Sequence, residues 1–356
     1  MTETDVIILG SGIAGLVLSN LLKREKVDHI VLDRIQKQKT MALAETLPPS
    51  ALVLLDGLDL LSVFEKTALT KTYGYHALWG SGQLQTTDFF YSNPFKYGLK
   101  LNKQSTLNGL KKKVADCILS YDHLIGIDHS EKEVIVKVSQ KKTEKTIKGK
   151  WIVDATGRNR ALLHALNIPI EDYDDIMAFS CHLPKTNHPD LIHGVYTESF
   201  AQGWGIVSVL SDEKQVMTLF TRKSNGLHKQ LSQYEFWEQI LANTNYLKTF
   251  LSEEAPDQII GKRANSSAAK YFSSKNWIAI GDAAFTFDPL SSHGITNAIY
   301  TAKKAVQLIT ADTYNTQQYH TDLNEIFMAY LATKNSMYQS EQRWPEEAFW
   351  NAEVSV

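Results

Sequence analysis

Two stretches of the chain hold residues whose types and spacing suit chemistry. One is GDAAFTFDPLSSHGI (281–295), which sets Asp282, Asp288 and His293 on a turn and the loop behind it. An imidazole titrates near neutral pH and can accept a proton from a reacting carbon, and so can a suitably placed carboxylate. His293 is the first candidate for acid–base work and Asp288 the second; a loop histidine bonded to backbone is the bland alternative. The other stretch is GSGIAG (10–15), three glycines directly after the apolar run DVIIL. At this spacing Gly10 permits a tight turn, Gly12 lets backbone approach a pyrophosphate, and Gly15 lets a helix pack on a strand.

Such residues act only if the surrounding elements position them. DVIIL reads as a strand buried on both faces, and LVLSNLLKRE as a helix with Leu16, Leu18, Leu21 and Leu22 inward. Strand, glycine turn and helix follow in the order that a dinucleotide fingerprint requires. The helix start, with Ile13 and Ala14 in its first turn, offers free N–H groups and a positive dipole end to phosphate. DHIVLD is a second strand, ending at Asp33, whose carboxylate suits ribose hydroxyls. GKWIVDATG ends a third strand on Asp154 and Gly157, and NWIAIGDAAF ends a fourth on Gly281 and Asp282. Asp282 is placed to accept from a sugar-alcohol hydroxyl. The amides of Gly294 and Ile295 open a helix and suit negative charge on a ring. Tight turns that bind nothing are the alternative for all of them.

Between these elements, residues 101 to 120 show helix spacing at Leu107, Leu110, Val114 and Ile118. HLIGIDHS and EVIVKVSQ read as strands, and the basic run KKTEKTIKGK as a solvated hairpin. Residues 176 to 222 alternate as an antiparallel sheet with one face on a core. Helical segments follow near 230 to 251, and GITNAIYTAKKAVQLIT is a long helix.

The chain has 356 residues, 43% hydrophobic and 21% charged, with a net charge of −2. That is a globular composition with nothing to steer it to nucleic acid or an anionic membrane. No apolar run reaches the roughly 18 residues of a membrane span, and no leader peptide is legible, so the expected compartment is cytoplasmic. Cys117 and Cys181 give neither a disulfide framework nor metal spacing and read as buried small hydrophobes. The 11 histidines show no metal-ligand spacing either, so no metal is expected.

Taken together, GSGIAG, DATG and GDAAF…DPLSSHG resemble the FAD-dependent monooxygenases of the p-hydroxybenzoate hydroxylase fold and their tryptophan-halogenase-like relatives, over about residues 5 to 305. ETLPPSALVLLDGLDLL, HALWGSG, QGWGIVSVL and the tail YQSEQRWPEEAFW are similar to the GoxB/LodB-type flavoproteins that mature tryptophylquinone cofactors.

The resemblance implies an α/β fold. A Rossmann-like, GR2-type FAD-binding domain would comprise 1–75, 98–175 and 260–315. An inserted antiparallel substrate domain would comprise 76–97 and 176–259, with a C-terminal helical segment over 316–356. It implies FAD held by Gly10, Gly12, Ile13, Ala14, Gly15, Asp33, Lys103, Asp154, Gly157, Gly281, Asp282, Gly294 and Ile295. His76 and Trp204 are assigned to the substrate pocket, with sheet packing as the alternative for each. NAD(P)H or a separate reductase would supply electrons, and O2 would react to a C4a-hydroperoxyflavin. The implied reaction hydroxylates a tryptophan side chain in a partner quinoprotein oxidase precursor. Two alternatives stand beside it: hydroxylation of a small aromatic or indole metabolite, and a chaperone-like flavin-containing module without turnover.

The chain departs from the relatives at three places. Gly203-Trp204 continues as Gly205-Ile206-Val207, without the second tryptophan and the proline of tryptophan halogenases, which argues against halogenation. Leu101-Asn102-Lys103 stands where Leu-Asp-Arg is usual, so a point charge replaces a bidentate fork. Asp288-Pro289 and Ser292-His293-Gly294 replace the Pro-Pro and Gly-Gln-Gly of the aromatic hydroxylases. Trp344, Phe349 and Trp350 are assigned to docking the tail on the core.

Overall fold

In the computed structural model, which describes residues 1–35, 41–130, 132–186, 194–311 and 313–351, the strand Thr2–Leu9 lies at the centre of a mainly parallel sheet. It pairs in parallel with His29–Arg34 on one side and Thr143–Asp154 on the other. A strand covered on both faces must be apolar, and Val6, Ile7, Ile8 and Leu9 are buried. Ile118–Tyr121 extends the sheet beyond His29–Arg34, and Trp277–Ala279 extends it beyond Thr143–Asp154. The helices Ile13–Arg24 and Gly294–Thr310 pack against each other on it.

The helix expected over residues 101 to 120 is shorter than its spacing predicts. It spans Lys103–Lys113, and Ile118 belongs to the strand that pairs with Val31. Its apolar side chain suits a sheet edge as well as a helix face, and long-range pairing decides. The basic run is a hairpin, with Val134–Gln140 antiparallel to Thr143–Asp154. Lys141 and Lys142 at its tip have φ of 50° and 67°, the backbone that a two-residue turn between twisted strands requires.

A second sheet runs in the order Ile260–Arg263, Ile176–Pro184, Lys214–Arg222, Gly203–Val209, Val195–Phe200, Gly74–Leu78, Gln85–Asp88. One of its strands corrects the boundary read from the sequence. Ile260–Arg263 pairs with Ile176–Pro184 and so joins the inserted sheet, not the nucleotide-binding segment. Its partner is far upstream, which leaves no local signal. One face of this sheet packs on Trp237, Leu247 and Phe250; the other faces the glycine turns.

The helix Thr316–Gln339 crosses both units. Tyr330, Lys334 and Tyr338 recur every fourth residue and so share one face. Tyr330 donates to or accepts from Ser266 at 2.7 Å and accepts from the Asp288 amide at 2.6 Å. Lys334 pairs with Asp174. Tyr338 donates to Asp288 Oδ2 at 2.7 Å and accepts from Trp204 Nε1 at 2.9 Å. The tail then docks through buried Phe349 and through Trp350, whose Nε1 donates to the Phe200 carbonyl at 3.0 Å. Trp344 lies beside Trp350, under the Arg343 guanidinium.

Glu341 fastens this tail. Its buried carboxylate accepts from the Gly80 amide at 2.8 Å, Ser199 at 2.6 Å and Arg343 at 2.7 Å. Burial alone would raise its pKa, but Arg343, Ser199 and the Gly80 amide outweigh that and hold it at about 2. A depressed carboxyl pKa stabilises the fold above the unfolded value near 4 and loses that stabilisation as pH falls through 2. Glu341→Gln is therefore expected to cost on the order of 2 kcal/mol at neutral pH. Thermal melts should show the gap to wild type closing between pH 4 and 2, and a gap that persists at pH 2 would exclude this origin.

Candidate active site

The first turn is built by close backbone approach. Gly10 has φ of 106°, and a Cβ there would stand 2.6 Å from the Ala155 carbonyl oxygen. A Cβ on Gly15 would stand 2.0 Å from the Gly10 oxygen and 3.2 Å from Ala155 Cβ. Strand, helix start and DATG turn are thus pressed together. Gly12, Gly157 and Gly294 are different, since Cβ atoms built on them meet nothing within 4 Å. Ile13 and Ala14 form the buried first turn of the helix, which has no side-chain cap and no acid in that turn. Its leading N–H groups remain available to an anion.

Asp33, at the end of its strand, accepts from the Ser11 hydroxyl and from Lys111 at 2.6 Å. Lys103 opens the helix Lys103–Lys113, with Nζ 2.8 Å from Glu45. Burial works against its charge, yet Glu45 and Asp282 raise its pKa. Gly281 sits against Ala14, and its amide donates to Thr301 at 2.8 Å. Asp282 makes no hydrogen bond among the described residues and lines a cavity. Burial raises its pKa while the nearby charges of Arg158, Lys103 and Arg160 pull it down, and its carboxylate can still accept from a hydroxyl in the cavity.

Asp154 is not placed as a direct contact. Its fully buried carboxylate accepts from the Thr156 amide and hydroxyl at 3.0 and 2.6 Å, and from the Leu162 and Leu163 amides at 2.9 and 3.2 Å. Those donors come from the chain itself, so Asp154 builds the turn that presents Gly157. Arg158, next to it, escaped the sequence reading although it follows DATG directly. It lines the cavity, donates to the Asn265 carbonyl at 2.9 Å, and has its pKa lowered by burial.

The cavity, about 320 Å³, lies between the inserted sheet and the loop before the helix Gly294–Thr310. Ala178, Ser180, Ile206, Ser208, Thr218 and Phe220 form the sheet wall; Asp288, His293, Gly294 and Ile295 form the opposite one. Leu43 and Arg263 on its rim are exposed, so it opens to the surface. Asp288 is buried, with Oδ1 accepting from the Leu290 amide at 2.8 Å and Oδ2 from Tyr338. Burial pushes its pKa up to about 6. His293 is exposed at the helix start, with its pKa lowered by desolvation against a raising contact from Ser291.

Neither predicted substrate contact lies on the cavity. His76 stacks on Tyr196 and bonds Thr86 at 3.0 Å, on the far face of the sheet. Trp204 is fully buried behind Phe220, stacked at 3.8 Å between ring centres, and holds Tyr338. Both take the packing alternative, for different reasons. Alternation along a strand names two faces without saying that the one holding His76 is turned away from the cavity. Trp204 shares the face of Ile206 and Ser208 but is walled off by its cross-strand partner Phe220.

Cys181 is buried and Cys117 only partly so; both are free thiols. Among the described residues no group of three or more His, Cys, Asp or Glu side chains is arranged to hold a metal ion, and no helix is long and apolar enough to cross a membrane.

The donor set fits a dinucleotide carrying a polar ring. Free helix amides suit pyrophosphate, Asp33 a ribose and Asp282 a polyol. Beyond them, Thr296 Oγ1 and Asn297 Oδ1 are buried without a partner in the helix that Gly294 opens.

Comparisons with known proteins agree. A family model described as an FAD binding domain matches residues 3–322. LodB of Marinomonas mediterranea, named as an FAD-dependent oxidoreductase, is 28% identical over 359 residues, spanning 98% of this chain and 96% of that one. Among solved structures, CmlS, a flavin-dependent halogenase, superposes with a TM-score of 0.83 at 21% identity, covering 100% of this chain and 68% of the other. QhpG, a peptidyl tryptophan dihydroxylase essential for tryptophylquinone cofactor biogenesis, superposes at 0.74 and 16% identity, covering 98% and 78%.

Proposed function

Since the chain belongs to the FAD binding domain family, we propose that this FAD-dependent oxidoreductase is a monooxygenase acting on a tryptophan side chain of a partner quinoprotein precursor. FAD, once reduced by NAD(P)H or a separate reductase, supplies the activation of O2. The chain's own residues do the rest. The amides after Gly12 would hold the pyrophosphate, Asp33 the ribose and Asp282 the ribityl hydroxyls, while Gly294 and Ile295 would meet the ring. The sheet wall with Phe220 orients an aromatic guest and excludes water from one side.

An indole carbon that gains oxygen must lose a proton. We assign that proton to Asp288, ahead of His293. Its carboxylate is fixed by two donors, faces the cavity, and titrates close enough to neutrality to serve as a base. His293 is exposed and less firmly held.

The observation that carries the reading is the cavity itself, walled by Phe220 and Asp288 and open at an exposed rim. A side chain on a larger polypeptide can enter such a site. The whole-length likeness to LodB supports a flavin-dependent oxidation, and QhpG, which shares this fold, is named for a peptidyl tryptophan substrate. Mass spectrometry of a tryptophan-containing quinoprotein precursor, co-expressed with this protein or without it, tests the reading. The expected result is a gain of one or two oxygen atoms on one tryptophan. An unchanged partner mass overturns it.

A further inference from the structure

Ser208 lines the cavity from the strand Gly203–Val209 and is 5% exposed. Its hydroxyl oxygen is buried and has no hydrogen-bond partner. Register explains why. Ser208 lies directly across from Val195 on one side and Val216 on the other, and Ile206, two residues back, shares its face. All three line the same cavity. The neighbouring hydroxyls are satisfied differently, because Ser180 and Thr218 are cross-strand partners and bond each other at 2.8 Å.

A buried polar atom left without a partner destabilises a fold, and alanine or valine would serve this strand position without that penalty. One unsatisfied hydroxyl inside an apolar ring is the layout of a pocket that orients a flat guest by a single polar contact. We propose that Ser208 Oγ accepts the N–H of an indole ring, with Phe220, Ile206, Val195 and Val216 against its carbon frame. The inference rests on the aromatic-hydroxylation reading and narrows it: a guest anchored by its nitrogen at the sheet presents a defined edge to the wall of Asp288 and Ile295. A ring of the same outline without the N–H leaves Ser208 unpaired and binds less well. The indole can be free or belong to a tryptophan residue.

Calorimetric titration of the FAD-loaded protein with indole and with benzothiophene, which has the same shape and no N–H, tests the assignment. A short peptide with one tryptophan and its benzothienylalanine counterpart form a second pair. In at least one pair, the ratio of the two Kd values is expected to favour the N–H ring about tenfold more in wild type than in Ser208→Ala. The pair that shows the preference identifies the free ring or the residue as the source. Ser208→Ala should also melt at the wild-type temperature or above, since it removes an unpaired hydroxyl. A ratio unchanged by the substitution overturns the role of Ser208 alone. No binding of any of the four probes overturns it together with the aromatic reading.

Discussion

Gly15→Ala is expected to yield a protein that no longer retains FAD. The added methyl carbon would stand 2.0 Å from a backbone oxygen, that of Gly10, with Ala155 Cβ 3.2 Å away on another side. Neither obstacle is the end of a flexible side chain. Leu16, Val17 and Leu18, next along the helix, have no exposure, so the helix cannot roll aside without disturbing a packed core. Overpacking of this kind costs about 1–3 kcal/mol, and a shifted helix start withdraws its amides from the phosphate position. FAD affinity should fall about 100-fold, with a lowered melting temperature and loss of the yellow colour on purification. Gly12→Ala makes the contrast. Its methyl meets nothing within 4 Å of the protein, so the fold should melt as wild type does while the cofactor binds more weakly. Flavin titration with parallel melts reads both variants. Undiminished FAD retention in Gly15→Ala would sink the argument from close packing.

Asp288→Asn is expected to lower turnover by about 100-fold or more, the scale of a lost general base. The carboxyl is buried, which raises its pKa, as does Asp174; Lys334, the Leu290 amide and Tyr338 act against that rise, leaving it at about 6. The basic form therefore appears as pH rises through 6, so wild-type turnover should climb there and level off above. The asparagine variant should lack that limb. Stability moves the other way. A raised folded-state pKa favours the fold fully below the unfolded value near 4, and that contribution is lost as pH rises through 6. At pH 7 the uncharged variant should thus be as stable as wild type or more so, by on the order of 1–2 kcal/mol. Its advantage should vanish near pH 4.

Tyr338→Phe separates a positioning role from a merely structural one. Loss of the donor to Oδ2 should move the rising limb to higher pH while leaving the plateau largely intact. Simple destabilisation would lower the melting temperature without moving the limb. His293→Ala should change turnover less than tenfold. If His293→Ala is the crippled variant and Asp288→Asn the mild one, the proton acceptor has been misassigned.

The nucleotide-binding frame was legible because its signals are contiguous. DVIIL, GSGIAG and the helix behind them are neighbours in sequence and in space. The same holds for NWIAIGDAAF and for GITNAIYTAKKAVQLIT, which is the helix Gly294–Thr310 from end to end. Local backbone rules act over such short stretches, so residue order alone determined the turns, the strand ends and the positions of Asp33 and Asp282.

The substrate side followed other rules. Period-two alternation placed His76 and Trp204 in strands, but only the assembled sheet decided that His76 meets Tyr196 on the far face and that Trp204 hides behind Phe220. Asp154 resembled a ligand until three amides and one hydroxyl of the residues that follow it closed around it. Asp288 gained its environment from Tyr338, and Ser208 its isolation from Val195 and Val216. Those neighbours arrive from distant parts of the chain through packing, and burial, pairing and the pKa of a carboxylate depend on what arrives, which no local pattern of residues encodes.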